Sequence, residues 1–368
     1  MKVIVISAVN LRSGGPLSVL EDCLRLLDRK CAGRYRVVAI VHAISLFKGY
    51  ENIEFVEYNR SASSYLYRIY LEYFYFNRLS KKLNPYLWFS LHDITPSVCA
   101  ERRAVYCHNA MPFYKLSLKE VVLQPSLVLF NYVYRYFYLK NIRLNDFVVV
   151  QQDWLREEFV KGFGVEDKSV IVSYPTLDSL PGSGSTQLCG GSESGKMIFV
   201  FPAFPRVFKN IEVLCEAAEI LLKKNVTDFE VWLTLDGSEN RYSKYLVKRF
   251  GFLDNIKFKG VQSRTEVFAW YQKADALVFP SKLETWGLPI SEFKVTGKPM
   301  LVVDLPYAHE TVGDYERVAF FEKDDSALLA DKMHELMSGL FNPEGNTVNA
   351  PEEPFVVGWE KLFKYMLN

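Results

Sequence analysis

Short apolar runs alternate along this chain with longer segments whose apolar residues recur every three or four positions. Residues 2–7, KVIVIS, are rich in β-branched side chains and predict a buried strand. A loop follows at 10–16, and from Pro16 onward Leu17, Leu20, Leu24 and Leu27 fall at helical spacing. Runs at 35–41, 53–58, 87–91, 104–107, 147–151 and 169–174 repeat the strand signal, with helices expected over 64–83, over 127–141 and from Trp154. After residue 196 the alternation restarts. Strands are expected at 197–201, 229–235, 256–259, 276–279 and 300–303, and helices at 210–224, 242–250 and 264–272. Strands without polar alternation, separated by helices, predict parallel sheets covered on both faces. Between the two rounds, residues 176–195 carry Pro-Gly-Ser-Gly-Ser and Gly-Gly-Ser, a flexible linker by composition.

The pattern therefore predicts an α/β protein of two doubly wound domains, residues 1–175 and 196–353, joined by that linker. In the last segment, 354–368, Trp359, Leu362, Phe363 and Met366 lie at i, i+3, i+4 and i+7. A helix this short is marginal alone in water, so its apolar face must be covered. Packing on the neighbouring 326–340 helix is the plainer arrangement. The polar run 342–353 is long enough for the other, a return to the first domain, and that is the expectation adopted.

A length of 368 residues suits two domains, and a net charge of +1 gives no general pull toward nucleic acid. The six cysteines, at 23, 31, 99, 107, 189 and 215, have neither metal-ligand spacing nor a dense disulfide pattern, which reads as reduced thiols in a cytosolic protein. Residues 1–9 are too short for a signal peptide, and no apolar run approaches the ~18 residues of a membrane span. Aromatic residues reach 15%, concentrated in two places. The 64–83 helix carries Tyr65, Tyr67, Tyr70, Tyr73 and Phe74 among Arg68, Arg78, Lys81 and Lys82, and the 127–141 helix carries Tyr132, Tyr134, Tyr136 and Phe137 with Arg135 and Lys140. Rings at helical spacing are commonly core or interdomain packing. The alternative is a basic aromatic surface that rests on lipid headgroups.

Candidate chemistry gathers at strand ends. In 276–304, ALVFPSKLETWGLPISEFKVTGKPMLVVD, a strand breaks at Pro280-Ser281 and a helix starts near Gly287, where Pro289 suits an early helical position. Glu284 falls in the loop and Glu292 about a turn and a half into the helix, so both can face one crevice, while the amides of Gly287 and Leu288 suit a phosphate. An acidic helix start that merely complements the helix dipole is the plainer alternative. Arg206 and Lys209 precede another helix, Gly14 and Gly15 form a glycine loop after the first strand, and His92 and His108 each follow a strand. Asp236-Gly237-Ser238 and Gly260-Val261-Gln262 occupy further strand ends.

The 276–304 string resembles the E-x7-E segment of retaining glycosyltransferases of family 4, with Pro280, Ser281, Glu284, Gly287, Leu288, Glu292, Gly297 and Pro299 matching in order. Thr285 stands where that family has Gly and Trp286 where it has Phe; Phe293 and Lys294 replace frequent small residues. The resemblance implies the GT-B fold, two Rossmann-like domains facing a central cleft. It implies transfer of a sugar from a nucleotide-diphosphate donor to a hydroxyl acceptor, a glycan or lipid-linked saccharide in cell-surface polysaccharide assembly, without metal, cofactor or nucleic acid. Catalytic roles fall on His108, Lys209, Arg206 and Glu284: His108 at the sugar's C6 side, Glu284 on sugar hydroxyls, Lys209 and Arg206 on the leaving diphosphate. Gly14, Gly15, Gly237, Gly260, Val261, Trp286, Gly287 and Leu288 line the donor, and Glu292 holds the ribose. The implied place of work is the cytoplasm, with peripheral contact at the inner membrane face. A GT-B nucleotide-sugar epimerase or hydrolase, and a non-catalytic nucleotide-sugar binder, are the alternatives.

Overall fold

The computed structural model of the protein describes residues 1–12, 14–176 and 195–368. Ser13, most of the expected linker and Cys189 lie outside the described residues. In chain order the strands are β1 (Lys2–Ala8), β2 (Tyr35–Val41), β3 (Ile53–Glu57), β4 (Leu87–Ser90), β5 (Arg102–Tyr106), β6 (Phe147–Val150) and β7 (Val170–Tyr174), then β8 (Met197–Phe201), β9 (Phe229–Leu233), β10 (Ile256–Phe258), β11 (Ala276–Phe279), β12 (Met300–Val303), β13 (Val318–Phe321) and β14 (Phe355–Val357). They form two sheets, ordered β14-β7-β6-β5-β4-β1-β2-β3 and β10-β9-β8-β11-β12-β13. Each described pairing is parallel. In both sheets the chain winds outward one way from the first strand and then the other way. The order reverses between β1 and β4 in one sheet and between β8 and β11 in the other, and in open α/β sheets ligands bind at the carboxyl ends of strands at such a reversal.

Side chains alternate across the first sheet, so each face has its own core. Ile4, Ile6 and Ala8 pack with Leu20, Leu24 and Leu27 of the helix Gly14–Lys30, whereas Val3 and Val5 pack with Phe76 and Trp88 on the other face. That first helix begins earlier than the leucine spacing predicted, with Gly14 in the left-handed region at φ 70°. The expected 64–83 helix is interrupted: Tyr65–Tyr70 and Phe76–Leu83 are α-helical, and Leu71–Tyr75 is a π turn.

The chain divides into two compact units. One holds Met1–Phe113, Asn131–Thr176 and Pro351–Asn368; the other holds Tyr114–Phe130 and the described residues up to Ala350. Segment Tyr114–Phe130 lies within the span that strand and helix alternation assigned to the first domain, yet its polar side chains bind partners in the second unit. Lys119 pairs with Glu212 at 2.8 Å, and Gln124 Oε1 accepts from the Val207 amide at 3.3 Å. No periodic signal marks such a segment.

Residues 351–368 return to the first unit. Strand β14 lies parallel to β7, and the Arg156 guanidinium donates to the carbonyls of Glu352 and Pro354, each at 2.6 Å. Helix Gly358–Leu367 then buries Leu362, Phe363 and Met366 in the core that contains Leu20 and Leu24. Trp359 stacks on Tyr106 at 5.5 Å between ring centroids, and Phe363 meets Phe89 edge-on at 6.0 Å. Replacing a buried ring by a methyl removes its contacts and leaves a cavity. Phe363→Ala should therefore lower the unfolding free energy of the first unit by about 3 to 5 kcal/mol in urea titration. A loss under about 1 kcal/mol would show that the helix contributes little to that core.

Candidate functional site

In the second unit the chemistry lies at the carboxyl ends of β8 and β11, the two strands flanking the reversal. The loop after β8 ends in a short 3₁₀ turn, Val207–Lys209, and Asn210 turns into the helix Ile211–Lys223 with φ 53°. The loop after β11 runs against it, the Lys282 amide donating to the Phe208 carbonyl at 2.7 Å. These contacts bring the Lys209 ammonium onto the Glu284 carboxylate, a mostly buried ion pair with side chains 19% and 13% exposed. Ser281 fixes the loop further through its hydroxyl, which donates to the Leu283 carbonyl at 3.1 Å. Arg206, in the same β8 loop, is exposed, with its guanidinium 5.1 Å from the Phe204 ring.

Gly287 precedes the helix Leu288–Lys294 with φ 83°, a conformation only glycine adopts without strain, while a Cβ there would make ordinary contact with Ile290 and Phe279. Trp286 is buried, its indole N–H donating to Ser291 at 3.0 Å and its carbonyl accepting from Thr311. Leu288 and Val261 are exposed. Glu292 does not meet Glu284's partner; it takes its own, accepting from the Tyr271 hydroxyl at 3.2 Å and from Arg264 at 3.4 Å. Burial pushes its carboxyl pKa up, against the opposing pull of Arg264 and Tyr271. Beyond β9 and β10 the loops touch: a Cβ on Gly260, at φ 70°, would sit 3.2 Å from the Asp236 carboxylate. Gly237 is likewise left-handed, at φ 96°, and its amide donates to Glu239 at 3.1 Å.

In the first unit the corresponding ends are those of β1, β4 and β5. Gly14 and Gly15 open the helix after β1. His92 is fully buried, its Nε2 held by Glu72 from the π turn and its carbonyl accepting from Arg68 at 3.4 Å. His108 is only half-buried. Its Nε2 lies 2.6 Å from the Leu91 carbonyl, which can only accept, so Nε2 carries a proton. The residue that organises this loop is Asp93, which directly follows His92. Asp93 has φ 69°, and one carboxylate oxygen accepts from the amides of His108 at 2.6 Å and Asn109 at 3.1 Å and from the buried Tyr138 hydroxyl at 2.9 Å. A carboxylate at a strand end before a second strand-end histidine is the only signal that could have found it. An open depression lined by Arg102, Arg143, Asp146 and Glu166 lies at the other, amino-terminal ends of β5 and β6 and shares none of these residues.

Residues 191–343, within the second unit, match the family described as Glycosyl transferases group 1. Among curated proteins the chain is 22% identical over 258 residues to the UDP-N-acetylglucosamine--peptide N-acetylglucosaminyltransferase GtfA subunit of Streptococcus parasanguinis, covering 66% of this chain and 49% of that one. It is 20% identical over 215 residues to the O-antigen chain mannosyltransferase RfbU of Salmonella typhimurium, covering 57% of this chain and 54% of that one. The chain thus spans about half the length of the curated relatives it matches. Among solved structures it superposes on the lipopolysaccharide outer core galactosyltransferase WaaB with a TM-score of 0.64 at 13% identity, over 93% of this chain and 92% of that one. At that identity the likeness shows the fold, and the fold is GT-B.

The mostly buried Glu292 side chain gives a test independent of any ligand. A carboxyl whose pKa is raised by folding binds its proton more tightly in the native state than in the unfolded chain. Its contribution to stability is therefore present at low pH and is lost as pH rises through the folded pKa. Glu292→Gln removes that loss. Its unfolding free energy relative to the unsubstituted chain should move in the variant's favour between about pH 4 and about pH 7. A difference that is flat, or that moves the other way, would show that Arg264 and Tyr271 outweigh the burial.

Proposed function

We propose that the chain is a retaining, metal-independent glycosyltransferase of family 4 that moves a sugar from a nucleotide-diphosphate donor to a hydroxyl acceptor. The observation that carries this reading is the Lys209–Glu284 pair at the reversal between β8 and β11, inside the segment that matches Glycosyl transferases group 1. When the bond from the anomeric carbon to the diphosphate breaks, both bonding electrons leave with the phosphate oxygen. A fixed cation that meets the growing charge lowers the barrier. Lys209 supplies that cation and Arg206 a second, more exposed one. Glu284 holds the ammonium in place before the donor arrives and accepts sugar hydroxyls once it is bound. The acceptor oxygen bonds to the anomeric carbon on the face the phosphate leaves, and its proton passes to that phosphate.

The remaining residues take binding roles. Glu292 is assigned to the ribose hydroxyls, a use that accounts for keeping a carboxylate where burial disfavours its charge. The glycines 237, 260 and 287, together with Val261 and Leu288, let the backbone come close to the nucleotide. Trp286 supports that loop from beneath. In the first unit His108, with Gly14 and Gly15, is assigned to the sugar and acceptor, and Asp93 positions it. No cofactor beyond the donor is assigned. The acceptor is a glycan or lipid-linked saccharide of cell-surface polysaccharide assembly, in keeping with the names of the relatives, and the place of work assigned to the chain is the cytoplasm.

Lys209→Ala should lower turnover by about 100-fold or more while the donor Michaelis constant changes far less, because the cation acts mainly on charge that appears as the bond breaks. A raised Michaelis constant at unchanged turnover would assign Lys209 to ground-state binding instead. The same assay run without acceptor separates the epimerase or hydrolase reading, since a transferase consumes donor rapidly only when acceptor is present.

A further inference from the structure

Among the described residues, eight exposed large apolar side chains belong to two neighbouring stretches of the first unit, 65–74 and 132–139. From the run that contains the π turn, Leu66 is 81% exposed, Phe74 64% and Tyr65 75%; from the helix Ser126–Leu139, Tyr132 is 72% exposed and Tyr136 62%. The two stretches lie side by side. Tyr73 stacks on Phe137 at 6.2 Å between centroids, and the Lys140 ammonium sits 4.0 Å from the Tyr73 ring. The aromatic residues therefore divide: Tyr73, Phe76 and Tyr138 enter the core, Tyr67, Tyr75, Tyr134 and Phe137 are half-buried, and Tyr65, Tyr70, Phe74, Tyr132 and Tyr136 face solvent. Arg68, expected among the outward cations, is instead buried against Glu72 and His92.

The exposed charges along these two stretches have one sign. Glu72 is the sole acidic residue between 60 and 83, and it is fully buried; residues 126–140 contain none. Arg78, Lys81, Lys82, Arg135 and Lys140 are exposed. Two copies meeting through such a face would oppose cation to cation, whereas anionic headgroups complement it, and tyrosine rings favour the headgroup level of a bilayer. No helix among the described residues is long and apolar enough to cross a membrane, so the contact is with its surface.

We propose that this face docks on an anionic lipid surface. The same two stretches hold the loops that carry the candidate chemistry of the first unit. Glu72 of the π turn binds His92, and Tyr138 of the second stretch binds Asp93, which in turn binds the His108 amide. Docking thus sets His108 on elements that rest against the bilayer, where a lipid-linked acceptor is held; this last point rests on the function proposed above, and the lipid contact itself does not.

The test uses the full chain with phosphatidylglycerol and phosphatidylcholine vesicles in sedimentation, at low and at raised salt. The expected result is sedimentation with phosphatidylglycerol at low salt, weakening as salt rises, and none with phosphatidylcholine. Lys81→Ala with Lys82→Ala should weaken partition roughly 30-fold, and Tyr132→Ser with Tyr136→Ser should weaken it at either salt. These side chains are exposed, so thermal unfolding of each variant should match the unsubstituted chain and a loss of binding reads directly as a loss of contact. No sedimentation at low salt, binding that the substitutions leave unchanged, or a dimer in sedimentation velocity that Tyr132→Ser with Tyr136→Ser dissociates would each overturn the proposal. Nucleotide binding measured beside it separates the two readings: vesicle binding without nucleotide binding keeps this face and removes the proposed function.

Discussion

Parallel strands covered on both faces admit few polar side chains, here mainly small serines such as Ser7, Ser90 and Ser173, because a buried polar group without a partner is costly. Strands β11, β12 and β13 are buried at each position, and they read ALVF, MLVV and VAFF. That constraint drives most of the groups capable of chemistry to the places where strands end. Lys209 follows β8, Glu284 follows β11, Gly260 follows β10, Asp93 follows β4 and His108 follows β5. The reversal of strand order then selects among the ends, since there the flanking helices diverge and leave backbone and side chains accessible. The second unit places its ion pair at that reversal, and the first places Asp93 there.

The groups at these ends are held at some cost to stability. Removing charges from water is expensive, and a mostly buried pair such as Lys209 with Glu284 recovers the cost only in part. Glu292 retains a carboxylate where burial disfavours its charged form. Gly287 and Gly260 hold left-handed backbone where a side chain would meet neighbouring atoms. Features of this kind cluster where a fold gives up stability for function. In the first unit the arrangement is different: a single Asp93 oxygen satisfies two amides and a hydroxyl, so the loop that carries His108 is fixed by hydrogen bonding rather than by a charge pair.

Strand positions were legible because burial on both faces leaves so direct a pattern: the runs at 276–279 and 300–303 are strands with those bounds. The glutamates stood out through the resemblance of the whole 276–304 string to the E-x7-E segment, because their spacing around a helix start also fits a plain acidic first turn; the structure puts Glu284 in the loop and Glu292 in the helix. Other features have no local signature. The π turn at Leu71–Tyr75 differs from an α-helix by one residue, yet it is what brings Glu72 to His92. Strand β14 is three residues long and forms because β7 offers an edge, and segment Tyr114–Phe130 joins the second unit through side-chain pairs that no periodicity encodes. Asp93 escaped for a related reason: its importance lies in which amides converge on it, and those come from residues 15 and 16 positions later. Helical spacing placed the aromatic rings on helices, but spacing alone does not say which of two faces a neighbouring helix will cover.

The central claim is that the second unit holds a nucleoside diphosphate at the end of its sheet, with Glu292 on the ribose. A thermal-shift panel of UDP, GDP and ADP on the unsubstituted chain and on Glu292→Gln tests it without knowledge of sugar or acceptor. One of the three should stabilise the unsubstituted chain, by about 2.7 kcal/mol at 100 times its dissociation constant, and should stabilise the variant far less. If none of the three shifts the transition, or if the shift is equal in the variant, the account of this site is wrong.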